Sequence, residues 1–401
     1  MSKPVIQGWC PGALRPMMSG DGLVVRVRPR NNSLSAEQAI GLAEAAMRHG
    51  NGFIGLSNRA NINIRGVEPE SHPALLDDLT GLGLIDTDPE TEARRNILVN
   101  PIRPYFFDSE EQHPNVAVAD ALAAALAASD APRLPGKFGF VVDLGRGLRQ
   151  LAGEIGDIRI ESADAGWYDF MLRADGMPTG RLVTRDTAAE LAIEMARWFV
   201  ETGGVGADGR GRMRDHVARG VQLPRHLAGD IAPAVPAIPP KPGSRGEGIL
   251  VALAFGELRA EKLIWLAKAG GCMRITPWRM IYFSSGHKIR RRLHLDRDFI
   301  SSPDDRLLRV TACTGAPGCP QALGRTRDVA RRLAGFVPAG RTLHVSGCAK
   351  GCAHPEPAEA TLVARSGDTY DLILNGTAAG IPALANLSPD AIAASDLFPT
   401  G

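Results

Sequence analysis

A strand–helix–strand unit occurs twice in this sequence, starting at Gly22 and again at Gly248. The first copy reads GLVVRVRPR, SAEQAIGLAEAAMRHG and NGFIGLSNRANINIRGV, and the second reads GILVALAFG, RAEKLIWLAKAG and GCMRITPWRMIYF. The outer segments have strand patterns and the middle ones have amphipathic helix patterns, which Gly50 and Gly270 are expected to close. The chain therefore carries an internal repeat, and its fold must accommodate two copies of one unit.

The chain is too long, at 401 residues, for one ordinary core, so two or more domains are expected. The clearest boundary is the proline-rich stretch from about Ala228 to Gly248, which favours an extended, semi-rigid connector. The predicted order is a first half-domain (1–70), a mixed α/β domain (71–230), the proline-rich linker (231–247), a second half-domain (248–300) and a closing α/β domain (301–401).

Each half-domain is followed by alternating helix and strand patterns. Helices are expected around Ala74–Leu79 and Val116–Ala128, with Asp186 as the N-cap of a third and a fourth ending near Leu333. Strands are expected at Lys137–Val142, WYDFMLRAD, RTLHVSG and, as the closing element, Tyr370–Leu374.

Four of the six cysteines form two close pairs: Cys313 and Cys319 are separated by five residues, and Cys348 and Cys352 by three. Each pair lies among Gly, Pro, Ala and Ser, a composition typical of tight turns that point backbone N–H groups at the sulfurs of an inorganic cluster. Structural zinc, disulfides and unliganded thiols are the alternatives, but zinc knuckles are usually spaced by two residues. The pattern favours a [4Fe–4S] cluster.

Two strands of the first repeat place basic and polar residues on one face. In NRANINIRG, Arg59, Asn61, Asn63 and Arg65 alternate with apolar residues, and in VVRVRPR the alternating residues are Arg26, Arg28 and Arg30. An ordinary solvated sheet face is the alternative interpretation. Two such strands in one half-domain favour a ligand rich in carboxylates.

Composition excludes several classes of function. The formal net charge is +2, and no apolar run is long enough to cross a bilayer, so neither a nucleic-acid partner nor a membrane is expected. The start, MSKPVIQGWC, has no apolar signal-peptide core, and a cytoplasmic location with reduced thiols is expected.

The duplicated units, the cysteine pairs and their order together resemble the nitrite and sulfite reductase family over nearly the whole chain. The resemblance implies an α+β fold of duplicated ferredoxin-like half-domains combined with two mixed α/β domains of the reductase type. It also implies that the cysteines hold a [4Fe–4S] cluster, bridged in the reductases to sirohaem. By motif, Arg59 in SNRANINI, Arg95 and Asn96 in RRNILVNP, and Lys137 in LPGKFGF match the family's anion-binding residues, whereas Gly139 stands in place of its second lysine.

The segments GWCPGALRPMMSGDGLVVRVRP, LPGKFGFVVD and GCAKGCAHP are most similar to the precorrin-3B synthase branch. This resemblance implies an aerobic cobalamin-pathway monooxygenase that converts precorrin-3A to precorrin-3B with dioxygen and NADH-derived electrons, supplied by an electron-donating reductase. The tetrapyrrole would then be the substrate, gripped by Arg26, Arg28, Arg59, Arg65, Arg95, Asn96, Lys137, Arg274 and Arg279. A sirohaem-dependent reductase and a non-catalytic iron–sulfur electron-transfer protein are the alternatives.

Members of that branch are thought to use a mononuclear non-haem iron to activate dioxygen. Only His294, Leu295 and Asp296 have the spacing of part of a two-His, one-carboxylate site, and a solvated or packing segment is the simpler interpretation of that charged run. The sequence therefore predicts cluster ligands and substrate-binding arginines but no oxygen-activating residues.

Overall fold

The structure is a computed structural model that describes residues 11–102, 113–145, 147–166, 169–245, 248–293, 296, 298–394 and 397–398. The first strands in chain order are β1 (Met17–Ser19), β2 (Gly22–Val27), β3 (Ser33–Leu34), β4 (Phe53–Leu56), β5 (Ile62–Val67), β6 (Ile97–Val99), β7 (Phe140–Asp143), β8 (Leu148–Arg149), β9 (Ile158–Ser162), β10 (Phe170–Ala174), β11 (Arg181–Val183) and β12 (Val235–Pro236). The remaining strands are β13 (Gly243–Arg245), β14 (Gly248–Leu253), β15 (Glu257–Arg259), β16 (Met273–Ile275), β17 (Met280–Phe283), β18 (Phe299–Ile300), β19 (Val310–Ala312), β20 (Leu343–Ser346), β21 (Ala358–Arg365), β22 (Thr369–Gly376) and β23 (Leu384–Leu387).

The α-helices of the described residues are α1 (Ala36–His49), α2 (His72–Gly81), α3 (Pro89–Arg94), α4 (Pro114–Ala127), α5 (Ala188–Glu201), α6 (Met213–Ala218), α7 (Ala260–Gly270), α8 (His287–Leu293), α9 (Arg327–Leu333) and α10 (Pro389–Ala394). None of these helices has the length and apolar character needed to cross a membrane.

The two repeat units form two sheets with the same strand order. The first sheet runs β1-β2-β5-β4-β15 and the second runs β13-β14-β17-β16-β3, with β18 paired to β14. Each repeat therefore gives one short strand to the other repeat's sheet: β15 pairs with β4, and β3 pairs with β16. The two copies are interlocked as well as similar.

One apolar core serves both repeats. Strand residues Val25, Ile64, Val251 and Ile281 and helix residues of α1 and α7, such as Leu42, belong to the same buried cluster. The helix α1 begins with a capping box, because the Ser35 hydroxyl accepts from the backbone N–H of Gln38 while the Gln38 side chain accepts from that of Ser35.

The other two large sheets also resemble each other. In the order β6-β7-β9-β10-β11 the first three strands are parallel and the last two pairings are antiparallel. The order β19-β20-β21-β22-β23 has the same pattern. The duplication seen in the sequence of the half-domains thus extends to the topology of the domains that follow them.

Several local predictions need correction. The helix α5 begins after Thr187 rather than Asp186, since the hydroxyls of Thr184 and Thr187 bind each other's backbone N–H and continue the turn by one residue. Gly270 is the last residue of α7, and Gly271, with φ +74°, follows it as the C-cap. The strand near Tyr370 is followed by β23, so it does not close the fold.

The proline-rich stretch pairs with strands on both of its sides along the chain. Its residues form β12, which pairs in parallel with β8, and β13, which pairs with β14. The backbone N–H of Ala237 also donates to the carbonyl of Arg149 at 2.9 Å. Proline has no backbone N–H to donate, so the other residues of this stretch supply the hydrogen bonds that hold it in place.

Candidate functional site

A cavity of about 390 Å³ lies between the first half-domain and the C-terminal domain, and Cys313, Cys319, Cys348 and Cys352 all line it. The sequence predicted that these residues act together, and the structure brings all four to one space. No three His, Cys, Asp or Glu side chains of the described residues are gathered as ligands of a single metal ion.

Strand direction explains why cysteines far apart in sequence meet here. The strands β19 and β20 are parallel neighbours, so their carboxyl ends open at the same edge of the sheet. Cys313 directly follows β19, and Gly347 and Cys348 directly follow β20. The backbone N–H of Gly347 donates to the Sγ of Cys313, with 3.1 Å between nitrogen and sulfur. This is the N–H to sulfur contact expected from the composition of the turns.

The turn between the first two cysteines is fixed by close packing. Gly315 has φ +69°, and a Cβ atom there would lie 2.6 Å from the Thr326 Oγ1. The hydroxyl of Thr326 donates to the carbonyl of Cys313 at 2.6 Å, and the N–H of Cys319 donates to the carbonyl of Gly315 at 2.9 Å. Only glycine fits this position without displacing the loop.

The thiols also share an electrostatic environment. Although the Cys352 side chain is exposed to the cavity, the surrounding protein desolvates it and raises the pKa of its thiol. Lys350 lowers that pKa, while Cys313, Cys348 and Cys319 raise it further. A cation or a metal cluster that stabilises the thiolates would offset both unfavourable effects. Of the other two cysteines, Cys272 is exposed, and Cys10 lies outside the described residues.

One wall of the cavity is the polar face of β2 and β5. Arg26, Asn63 and Arg65 line it, and Arg26 Nε donates to Asn63 Oδ1 at 2.9 Å. Arg65 forms an ion pair with Asp21 at 2.7 Å and donates to the carbonyl of Gly318 at 2.6 Å. Arg65 thereby ties the loop that carries Cys319 to the first half-domain.

A second wall comes from the second repeat and from α9. It includes Arg279, Arg327 and Glu257, of which Arg327 and Glu257 form an ion pair. Sequence reasoning missed these last two residues. Arg327 belongs to no recognisable sequence motif. The feature that could have identified it is its position at the start of a helix, shortly after the first cysteine pair.

Four predicted ligand-binding residues are buried and bonded within the protein rather than lining this cavity. Arg28 donates to the carbonyl of Glu92, and Arg95 forms a bidentate pair with Asp86 and donates to the carbonyl of Arg28 at 2.9 Å. Asn96 donates to the carbonyl of Phe138 at 2.9 Å, and Arg274 to that of Pro101 at 3.1 Å. Because β2 ends at Val27, the alternation of strand faces that we predicted for Arg28 does not reach that residue.

Arg59 lies in the turn between β4 and β5 rather than on a strand, so its predicted place on the strand face is wrong. Its Nη2 donates to the carbonyl of Lys137 at 3.0 Å, which brings two of the motif-matched residues together at an exposed position. Gly139 adjoins them, and a Cβ atom there would lie 3.0 Å from Asn96 Nδ2 and 3.5 Å from Arg59 Nη1. A lysine at 139 would require these side chains to move.

The histidines do not form an iron site among the described residues. His294 and Leu295 lie outside them, and Asp296 forms an ion pair with Lys262. His344 is fully buried on β20 with no hydrogen-bond partner in the described structure, and its ring contacts that of His354 at 5.7 Å between centroids. Burial, with a smaller effect of His354, lowers the pKa of His344 to about 4, so the ring is neutral at pH 7.

Comparisons with known proteins agree with this architecture. Residues 15–82 match the family model described as the nitrite/sulfite reductase ferredoxin-like half domain. A precorrin-3B synthase from Sinorhizobium sp. is 30% identical over 401 residues, covering 94% of this chain and 84% of that protein. The NirA protein of Mycobacterium tuberculosis has a TM-score of 0.62 at 18% identity, covering 93% of this chain and 79% of the other. This last likeness shows the fold alone, and it confirms the predicted fold class.

Proposed function

The chain belongs to the precorrin-3B synthase family, and from that premise we propose that it is a monooxygenase that converts precorrin-3A to precorrin-3B. Membership confirms the resemblance drawn from its motifs, and it makes the chain an oxidoreductase with a tetrapyrrole-related role. The observation that carries the finer proposal is a single cavity in which the four cysteines face arginines from both repeats.

The residues fit a [4Fe–4S] cluster. Four thiols in two glycine-rich turns surround one cavity, and a backbone N–H already points at one sulfur. Cys313, Cys319, Cys348 and Cys352 would hold the cluster as thiolates. Such a cluster supplies one-electron transfer when bound, and here the electrons would derive from NADH through a partner reductase.

The protein's own residues would bind and orient the tetrapyrrole. Its carboxylates match guanidinium groups, which form two parallel hydrogen bonds to one carboxylate. Arg26 and Arg279 line the cysteine cavity, and Arg59 and Lys137 form an exposed pair near Asn96 and Gly139. Fixing the ring at several carboxylates would place one meso carbon for reaction and lower the entropic part of the barrier.

The proposed reaction is a hydroxylation at the meso carbon between rings D and A, followed by formation of a γ-lactone with the ring A acetate. One oxygen atom of dioxygen enters the new C–O bond, and the other leaves as water after two electrons and two protons are taken up. The described residues contain no three-ligand group that fits a mononuclear iron, so no step is assigned to one.

The test is to supply precorrin-3A with ¹⁸O₂ and to analyse the product by mass spectrometry. We expect label in the new hydroxyl group and no product under strict anaerobiosis, even with a reduced cluster. Product formed without dioxygen, or label that comes from water alone, would refute the monooxygenase assignment and leave the fold and the cysteine site unaffected.

A sirohaem-dependent sulfite or nitrite reductase is the competing proposal, and the shared fold is what favours it. Gly139 argues against it, because it stands in place of the second lysine of the reductases' anion-binding motif and supplies no positive charge there. The optical spectrum of the purified protein separates the two functions: strong Soret-type bands from a tightly bound sirohaem would favour a reductase, and a broad cluster shoulder alone would favour the synthase.

A further inference from the structure

Arg279 has a backbone conformation that arginine rarely adopts, with φ +57°. The turn that contains it has an equivalent in the first repeat. Thr276 N–H donates to the Met280 carbonyl at 3.0 Å, just as Ser57 N–H donates to the Asn61 carbonyl at 2.9 Å. The residue equivalent to Arg279 is Ala60, with φ +54°. The fold thus requires the left-handed conformation in both turns, but it does not require an arginine.

The neighbouring chain leaves room for the Arg279 side chain. Gly256 has φ +71°, and a Cβ atom there would lie 2.7 Å from Arg279 Cδ. Any larger residue at 256 would displace the arginine stem. A strained residue packed against an obligatory glycine is the kind of feature that concentrates at ligand-binding sites.

The charge of Arg279 is not neutralised locally. Within the described part of the chain, no hydrogen bond or ion pair involves its guanidinium, although the side chain is partly buried. Burial lowers the pKa of Arg279, and the positive charge of Arg327 lowers it further, to a smaller extent. A desolvated cation beside another cation is unfavourable unless an anion joins them.

Arg327 supplies a second free donor. Its guanidinium forms an ion pair with Glu257, but its Nε is buried and has no hydrogen-bond partner in the described structure. Of these two guanidinium groups, only that of Arg327 has a carboxylate partner among the described residues, so one positive charge and unused N–H donors remain on the cavity wall. Buried donors without acceptors are rare in native proteins and call for an explanation.

We propose that Arg279 and Arg327 form an anion subsite that binds one carboxylate group at the wall of the cysteine cavity. The entering carboxylate would accept from Arg279 and from the free Nε of Arg327, while Glu257 stays on the other side of Arg327. That the carboxylate belongs to a tetrapyrrole rests on the function proposed above. The subsite itself rests on the strained arginine, the glycine slot and the unpaired donors.

Binding to the full-length protein tests the subsite with two probes, uroporphyrin, an octacarboxylate tetrapyrrole, and citrate. Arg279→Ala should weaken binding by about tenfold or more, the loss expected for one charge-assisted contact, and Arg279→Lys should bind with intermediate affinity. Glu257→Gln should strengthen binding, because it frees Arg327. Arg325→Ala, at an exposed arginine 71% accessible, is the matched control and should bind as the wild type does.

Thermal stability separates an anion site from a structural role. Arg279→Ala should melt at or above the wild-type temperature, since it removes an uncompensated charge and Ala60 shows that alanine fits this turn. A clear loss of stability with unchanged binding would overturn the subsite.

The two probes distinguish the subsite from the proposed function. If citrate binds through Arg279 and uroporphyrin does not bind, the subsite stands and the tetrapyrrole assignment falls. If uroporphyrin binds equally well to the wild type and to both Arg279 variants, the subsite falls and the tetrapyrrole assignment stands. If the wild type binds neither probe, the subsite is overturned.

Discussion

The backbone N–H of Gly347 donates to the Sγ of Cys313 across 3.1 Å, which links the turns of the two cysteine pairs. A hydrogen bond to a ligand sulfur stabilises its negative charge, and such bonds help to set the reduction potential of iron–sulfur clusters. The two parallel strands that lead into these turns hold this contact in place. Changes at Gly347 should therefore affect a bound cluster without removing any ligand.

Gly347→Ala tests this relationship. The added Cβ would lie 2.7 Å from the Ala322 Cβ and 3.4 Å from the Gly315 Cα, so the loop must move. We expect overpacking to cost about 1–3 kcal/mol of stability and to shift the cluster potential in a redox titration followed by EPR. The control is Gly153→Ala, whose Cβ meets no atom within 4 Å. Identical potentials for Gly347→Ala and the wild type would contradict the proposed role.

Replacing any one of Cys313, Cys319, Cys348 and Cys352 with serine should lower the iron and acid-labile sulfide content of anaerobically purified protein. Each thiol lines the same cavity, and an alkoxide is a poor replacement for a thiolate ligand. Cys272→Ser is the control, because that residue does not line the cavity. Unchanged metal content in all four variants would show that these cysteines hold no cluster.

Arg95→Ala should destabilise the fold rather than act on substrate binding alone. Arg95 and Asp86 form a buried pair, with side chains 8% and 3% exposed, and removing one partner leaves a buried charge at a cost of about 3–5 kcal/mol. Arg48→Ala breaks an ion pair with Asp78 in which Arg48 is 59% exposed, and it should cost no more than about 1 kcal/mol. Equal melting temperatures for the two variants would contradict the structural role.

Arg59→Ala should have the opposite profile, with weaker tetrapyrrole binding and little change in stability. Arg59 lies half-buried in the turn between β4 and β5, where its guanidinium donates to the carbonyl of Lys137. We expect the melting temperature to stay near that of the wild type while the dissociation constant for a carboxylated tetrapyrrole rises. A variant that binds normally would remove Arg59 from the set of substrate ligands.

Asp143 should make stability depend on pH. Burial raises the pKa of its carboxyl from 3.8 to about 7, although the N–H of Leu151 donates to it. Between these values the folded state keeps a proton that the unfolded state has lost. The stabilising contribution of Asp143 to the free energy of unfolding is therefore complete below pH 3.8. It falls by up to about 1.4 kcal/mol per pH unit as the pH rises, and it is lost above about pH 7.

Asp143→Asn should remove that dependence. The wild-type melting temperature minus that of the variant is expected to decrease as the pH rises between about 5 and 8, because only the wild type then carries a buried charge. A constant difference would show that Asp143 is ionised in the folded protein throughout that range.

Local sequence patterns determined the faces of the strands, the repeated half-domain and the grouping of the cysteines. Alternation predicted that Arg26 lies on the opposite face from its apolar neighbours, and Val25 and Val27 lie in the core while Arg26 lines the cavity, since neighbouring residues of a strand point to opposite faces. The repeated unit predicted two similar half-domains, and short spacing within glycine-rich turns predicted that the cysteines act together. Each of these inferences depends on residues that are close in the chain, where geometry is fixed by the backbone period.

Only the tertiary structure decided which residues from distant segments meet. It exchanged β3 and β15 between the repeats, paired Arg95 with Asp86 inside the protein, and placed the charge of Arg279 beside that of Arg327. A sequence shows that an arginine carries a charge, but whether that charge is already neutralised depends on contacts between segments. Those contacts follow from strand order and packing, and no local period encodes them.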